Sequence, residues 1–242
     1  QMQSEKLFQT AWYPMLIKYT LDQVNARNSR PVALPTGNRL HQNITANDIE
    51  GIKKSVSDKT LLNEIDTNGQ TPLILAITLE NSTAAHLLLE AGADPQQKNT
   101  RGETPLHIAV QLNHQDMMMH LLQITDNIDQ VNNQGQTPLH LALARGHTQA
   151  ARILIKAGAN LDHRDKQGNN LLHLICKHNN GQYEKILEVM IERLAGVNQR
   201  NFAGMTPLHI AARHGSSGML KLLVKAGAKP DARLANGNSA LF

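Results

Sequence analysis

One string recurs along this chain. GETPLHIAVQLNH at 102–114 and GQTPLHLALARGH at 135–147 are near copies, and GMTPLHIAARHG stands at 204–215. Taking the Thr of Thr-Pro-Leu-His as an anchor, the equivalent residues are Asn38, Thr71, Thr104, Thr137, Asn170, Thr206 and Ser239. Their spacings are 33, 33, 33, 33, 36 and 33 residues. A unit this short cannot bury a core alone. Neighbouring units must stack, and the fold becomes a one-dimensional array.

Each repeated position has a physical reason. A glycine stands two residues before six of the anchors (Gly69, Gly102, Gly135, Gly168, Gly204, Gly237), where a tight turn needs positive φ; Thr36 replaces it in the first copy. The anchor Thr or Asn caps the following helix, and Pro at the first helical position loses no needed N–H. Leu73, Leu106, Leu139, Leu172 and Leu208 point inward. Ala109, Ala142 and Ala211 let neighbouring helices approach. A second helix follows, as at Thr148–Lys156, and stops at Gly158; Gly92 and Gly227 act alike.

These motifs resemble the ankyrin-repeat family over about residues 38–242. The resemblance implies an all-α solenoid of stacked antiparallel helix pairs with β-turn fingers. It also implies a role for the histidine three residues after the anchor (His41, His107, His140, His173, His209): its ring bonds the Thr hydroxyl and the backbone of the neighbouring finger. A buried polar group without such partners costs a few kcal/mol.

The copies depart from the pattern in readable ways. The first lacks the Pro and carries Lys53, Lys54 and Ser55 in its second helix, which reads as a capping repeat with a wet face. The second has Ile74 in place of the histidine. The fifth lacks the Pro, has Leu194 at the stop-glycine position, and reads as inserting three residues near Asn179–Tyr183, between its helices. Residues 1–37 do not repeat. Leu7, Phe8, Trp12, Leu16 and Ile17 form an apolar stripe around Pro14, read as N-terminal capping helices followed by the linker RPVALPTG, with the tail of a preceding domain as the alternative. The chain opens Gln1-Met2 and its last copy, GNSALF, stops within a first helix, so further chain is expected in a parent protein.

Composition bounds the chemistry. The net charge of +4 is modest, and aromatics make up 3%. The lone Cys176 aligns with Ala212, a small core site, and permits no internal disulfide. Its 12 histidines fall mostly on separate repeat layers, and no H-E-x-x-H, Cys-x-x-Cys or Walker-type loop occurs. No catalytic set, metal site or cofactor is expected. Of Met117–Met119, two are expected as core filler.

Partners of this family usually meet the finger tips and the inner side of the first helices. The resemblance implies exposed positions −6, −4, −3, −1, +7 and +8 from the anchor. Across repeats two to six and the last finger these hold nine Lys or Arg and one acid, Glu103. The candidate partner-binding residues are Lys98, Arg101, Arg145, Arg164, Lys166, Lys177, His178, Arg200, Phe202, Met205, Arg213, His214 and Arg233. A basic face interrupted by Phe202 and Met205 suits an acidic protein segment. His178 and His214 are expected to add charge below about pH 6.5.

The chain therefore reads as a protein-interaction module, monomeric and cytoplasmic, with no membrane span. One alternative makes it the targeting arm of a larger enzyme. A second makes it a nucleic-acid binder, against which stand the modest charge and the single aromatic in the patch. Richness in Asn, Gln and His resembles ankyrin proteins that intracellular bacteria deliver into host cells, which would place it in host cytoplasm.

Overall fold

A computed structural model describes residues 37–178, 181–191, 196–234 and 237–240. The segment read as N-terminal helices lies outside the described residues, as do Asn179, Asn180 and Leu194. Among the described residues the chain is helical, with one isolated antiparallel bridge between Arg233 and Ser239.

Six helix pairs follow the repeat. They are α1 (Arg39–Thr45) and α2 (Ile49–Ser55), α3 (Pro72–Thr78) and α4 (Ser82–Glu90), α5 (Pro105–Gln111) and α6 (Gln115–Ile124), α7 (Pro138–Arg145) and α8 (Thr148–Lys156), α9 (Leu171–Ile175) and α10 (Gly181–Ile191), α11 (Pro207–Arg213) and α12 (Ser217–Lys225). The first helices stack in the order α1, α3, α5, α7, α9, α11, each packing on the next. The anchor side chain of each of these six pairs caps its first helix by accepting a backbone N–H. The six finger glycines have φ between 71° and 84°. At Gly69 a Cβ would also lie 2.2 Å from the Thr100 side chain. Turn geometry and close stacking both demand glycine there.

The inward leucines Leu73, Leu106, Leu139, Leu172 and Leu208 are at most 1% exposed, and Ala109, Ala142 and Ala211 are fully buried. The histidine tie forms at three layers. His41, His107 and His173 donate from Nε2 to the carbonyls of Gln70, Gln136 and Met205, each at 3.0 Å. Because a carbonyl only accepts, the proton sits on Nε2, and Nδ1 of His107 accepts from the Thr104 N–H at 3.1 Å. His209 keeps the Thr206 hydroxyl at 2.7 Å, but its buried Nε2 has no hydrogen-bond partner among the described residues. His140 likewise keeps the Thr137 hydroxyl at 2.8 Å, with its buried Nε2 unpartnered among them. The His163 ring stands perpendicular to it at 5.4 Å instead. At layer two Ile74 fills the histidine position as a buried apolar side chain, and no ring tie is made there.

Two expectations need correction. The second helices all begin 11 residues after the anchor, at Ile49, Ser82, Gln115, Thr148, Gly181 and Ser217. Tyr183 and Leu187 of α10 are buried at the same offsets as Ala150 and Leu154 of α8. The three extra residues of repeat five therefore follow the start of its second helix and do not separate the helices. In the first repeat Lys53 and Lys54 are exposed, but Ser55 is buried, where its hydroxyl accepts from Asn43 at 2.9 Å. Met117 and Met118 are core and Met119 is exposed.

Leu139→Ala, at the centre of the stack, is expected to cost roughly 2–5 kcal/mol in denaturant unfolding. Burial pushes the pKa of His107, His140 and His173 from 6.5 down to about 4. The folded rings stay neutral while unfolded ones titrate near 6.5. Between those values the unfolded chain binds protons that the folded chain refuses. Stability present above pH 6.5 is thus lost as the pH falls toward 4. The melting temperature should decline steadily over that window; a flat profile would contradict neutral buried rings.

Candidate partner-binding face

The fingers are built on a residue absent from the sequence-based set. Five residues before the anchors stand Asp66, Asn99, Asn132, Asp165 and Asn201, all buried. Each side-chain oxygen accepts the backbone N–H groups two and four residues ahead, as Asp165 does from Gln167 at 2.9 Å and Asn169 at 2.8 Å. A short polar side chain is required for this turn. The signal was present, since Asn or Asp recurs at that offset in five consecutive copies. A backbone ladder joins the fingers: Thr100 N–H to Gly69, Asn133 to Arg101, Lys166 to Gln134 and Phe202 to Gln167, at 2.9–3.1 Å.

Arginine at −6 recurs as a finger staple. Arg164 donates to the Gly168 carbonyl from Nε at 2.9 Å and Nη2 at 2.7 Å, and reaches the Arg200 carbonyl on the next finger at 2.5 Å. Arg200 donates to Gly204 at 2.7 Å and Arg233 to Gly237 at 3.2 Å. Carbonyls do not neutralise charge, so all three remain exposed cations. Lys98 is half-buried and donates to the Val131 carbonyl at 2.9 Å.

Finger and first helix form one continuous surface. Glu103, 6% exposed, accepts from Asn99, from Arg101 at 2.8 Å and from Gln111 at the end of α5. Gln111 in turn accepts from Arg145 of the next layer at 3.3 Å. Burial works to raise the Glu103 carboxyl pKa, but the Asn99 and Gln111 hydrogen bonds and the Arg101 charge outweigh it and hold it below the usual value. Glu103 was expected as an exposed contact; it is instead a buried carboxylate that neutralises Arg101. Lys166, Lys177 and Arg213 are exposed, and none of them makes an ion pair among the described residues. His214 is exposed at the C-cap of α11.

Two further residues sit differently from the expectation. His178 is half-buried: Nε2 donates to the Leu143 carbonyl at 2.7 Å and the ring stacks on Tyr183 at 4.6 Å. It does the work of His147, which bonds the equivalent Val110 carbonyl one layer earlier at 2.9 Å. It is not a free imidazole facing a ligand. Met205 is half-buried against the core, and its carbonyl takes the His173 tie. Phe202 is 78% exposed, with its ring edge over Gly168 of the preceding finger.

Cys176 is fully buried, and burial pushes its thiol up to about 12, so no thiolate forms near neutrality. Among the described residues no group of three or more His, Cys, Asp or Glu side chains converges as metal ligands. No helix among them is long and apolar enough to cross a membrane.

Comparison with known families decides the fold's relationships. A family model described as ankyrin repeats (3 copies) matches residues 88–165 and 157–234, and a single ankyrin repeat model matches 68–100. The chain belongs to the ankyrin-repeat family. A similar solved structure is an ankyrin repeat domain from Acinetobacter baumannii AYE, with 33% identity and a TM-score of 0.71, covering 78% of this chain and 98% of that one. The ankyrin repeat domain of Bcl-3, a member of the IkappaB protein family, matches at 23% identity and a TM-score of 0.71 over 84% of this chain and 92% of its own. The ankyrin repeat protein EF0377 matches at 23% and 0.69, over 77% and 96%. No curated protein matches the chain. Ankyrin repeats serve generally as protein–protein interaction modules.

The staple separates structural from free cations within this ankyrin face. Arg164→Ala is expected to lower stability by about 0.5–1.5 kcal/mol, the worth of its lost hydrogen bonds. Lys166→Ala should stay within about 0.5 kcal/mol of the parent. Parallel urea titrations of the two variants check the difference.

Proposed function

We propose that the repeat domain binds an acidic segment of a partner protein across its fingers and first-helix ends, chiefly on repeats four to six. The observation that carries this reading is the run of exposed cations Arg145, Arg164, Lys166, Lys177, Arg200, Arg213 and Arg233, none in an ion pair among the described residues. Lys177 and Arg213 occupy the same position on adjacent layers, seven residues after the anchor. Phe202 supplies exposed aromatic area beside Arg200 in sequence, the pairing that anchors interfaces. Exposed charges of this kind steer association and make it salt-dependent. His214 is the one imidazole of the candidate set that stays exposed to a ligand.

The test is fluorescence anisotropy with a labelled oligo-glutamate peptide, alongside a single-stranded DNA oligomer. Lys177→Glu/Arg213→Glu touches no finger staple and should weaken peptide binding by about ten-fold or more, roughly 1.4 kcal/mol. Unchanged peptide affinity in the variant sinks the reading. Tight DNA binding with a steep salt slope would replace it with a nucleic-acid function.

A further inference from the structure

The same face changes chemistry along the stack. In repeats two and three its large exposed side chains are, apart from Arg101, apolar: Ile65 on a finger at 51%, Leu79 at 48% and Leu112 at 39%. Leu79 and Leu112 hold the same position, eight residues after the anchor, at the ends of α3 and α5, which pack together. At the next layer that position becomes Arg145. The repeat-two inner positions carry no charge, and in repeat three Arg101 is paired with Glu103 while Lys98 is turned to a carbonyl. A single exposed leucine is ordinary. Two at one register position in consecutive layers make a row, and Ile65 adds apolar area on the repeat-two finger. The row runs into the cationic half through the Gln111–Arg145 hydrogen bond.

We propose that repeats two and three form an apolar subsite for leucine-like side chains of the same partner segment whose acidic residues meet repeats five and six. This rests on the acidic-partner reading and adds to it a second chemistry and a direction. Charge complementarity fixes the direction, because among the described residues an acidic block meets one unpaired cation, the half-buried Lys98, on repeats two and three against the run of exposed cations on repeats four to six, and apolar side chains gain little on that cationic half. The spacing follows from the stack. Packed helices lie about 8–10 Å apart, so Lys177 and Arg213 stand two and three layers, about 16–20 Å and about 24–30 Å, from Leu112. An extended segment rises about 3.3 Å per residue. The occupant is therefore an extended stretch with its apolar residues about five to nine positions from its acidic block.

The experiment titrates the full chain with three labelled peptides: a glutamate block alone, the block joined to two leucines through a serine-rich spacer of about seven residues, and the same through about two. The long-spacer peptide should bind about ten-fold tighter than the bare block, and the short one no more than about two-fold tighter. Leu79→Ser/Leu112→Ser should abolish that gain and leave the bare block's affinity unchanged, with folding checked by thermal melting. A long-spacer peptide no tighter than the bare block overturns the inference, as does a gain that survives the double variant or appears equally with the short spacer. If the bare block itself ignores Lys177→Glu/Arg213→Glu, or no peptide binds, the acidic-partner reading falls and carries this one with it.

Discussion

A buried neutral imidazole joins one layer to the next at three places in the stack. A ring such as His107 accepts at Nδ1 from its own helix cap and donates at Nε2 to the next finger. One side chain thereby fixes the start of a helix and the distance to the next layer. It works only while buried and uncharged, because a protonated Nδ1 could no longer accept. The bond is not made at every layer. Ile74 replaces it with apolar packing, and His140 meets a perpendicular ring instead of a carbonyl. The fingers stay in register at those layers through the backbone ladder and the buried Asx turns. Layer spacing is thus set by several modest bonds, none of which is indispensable at every level.

The period made most of the scaffold legible. Helix starts, finger glycines, inward leucines and the core placement of Cys176 all follow from one anchor, because each is dictated by local backbone chemistry. Exposure was harder to read. Glu103 looks like a finger-tip acid, yet neighbours on the finger and at the end of α5 draw it inward. His178 looks like the exposed end of a first helix, yet α9 stops early at Ile175 and the ring turns back to a carbonyl two helices away. Both outcomes depend on what stands opposite, and a single sequence does not display that. The Asx turn was missed for another reason: Asn and Asp are common in any loop, so a fixed offset was needed to raise them above composition. The insertion could not be placed from sequence alone, because spacing counts the extra residues without locating them, and burial at Tyr183 and Leu187 reveals the register of α10.

The surface cations divide by what holds them. Arg164, Arg200 and Arg233 are parts of the fingers, with their guanidinium N–H groups donating to glycine carbonyls. Lys177 and Arg213 belong to no such device. Counting basic residues treats the two groups alike, whereas their removal has different consequences: one loosens the finger, the other changes only the field above it. The stapled group also presents its charge with little conformational entropy left to lose, an advantage for any ligand that meets it.

The position of the extra residues in repeat five has a consequence for how such a chain can change. From the anchor to the middle of the second helix every offset is locked, by the cap, the inward leucine, the inter-helix turn and the buried positions on the second helix. Beyond that point the segment leading to the next finger absorbs three more residues, while the next layer still begins with a normal cap at Thr206. Repeat five therefore has a seam: chain length changes there while the caps, inward leucines and finger turns on either side keep their offsets.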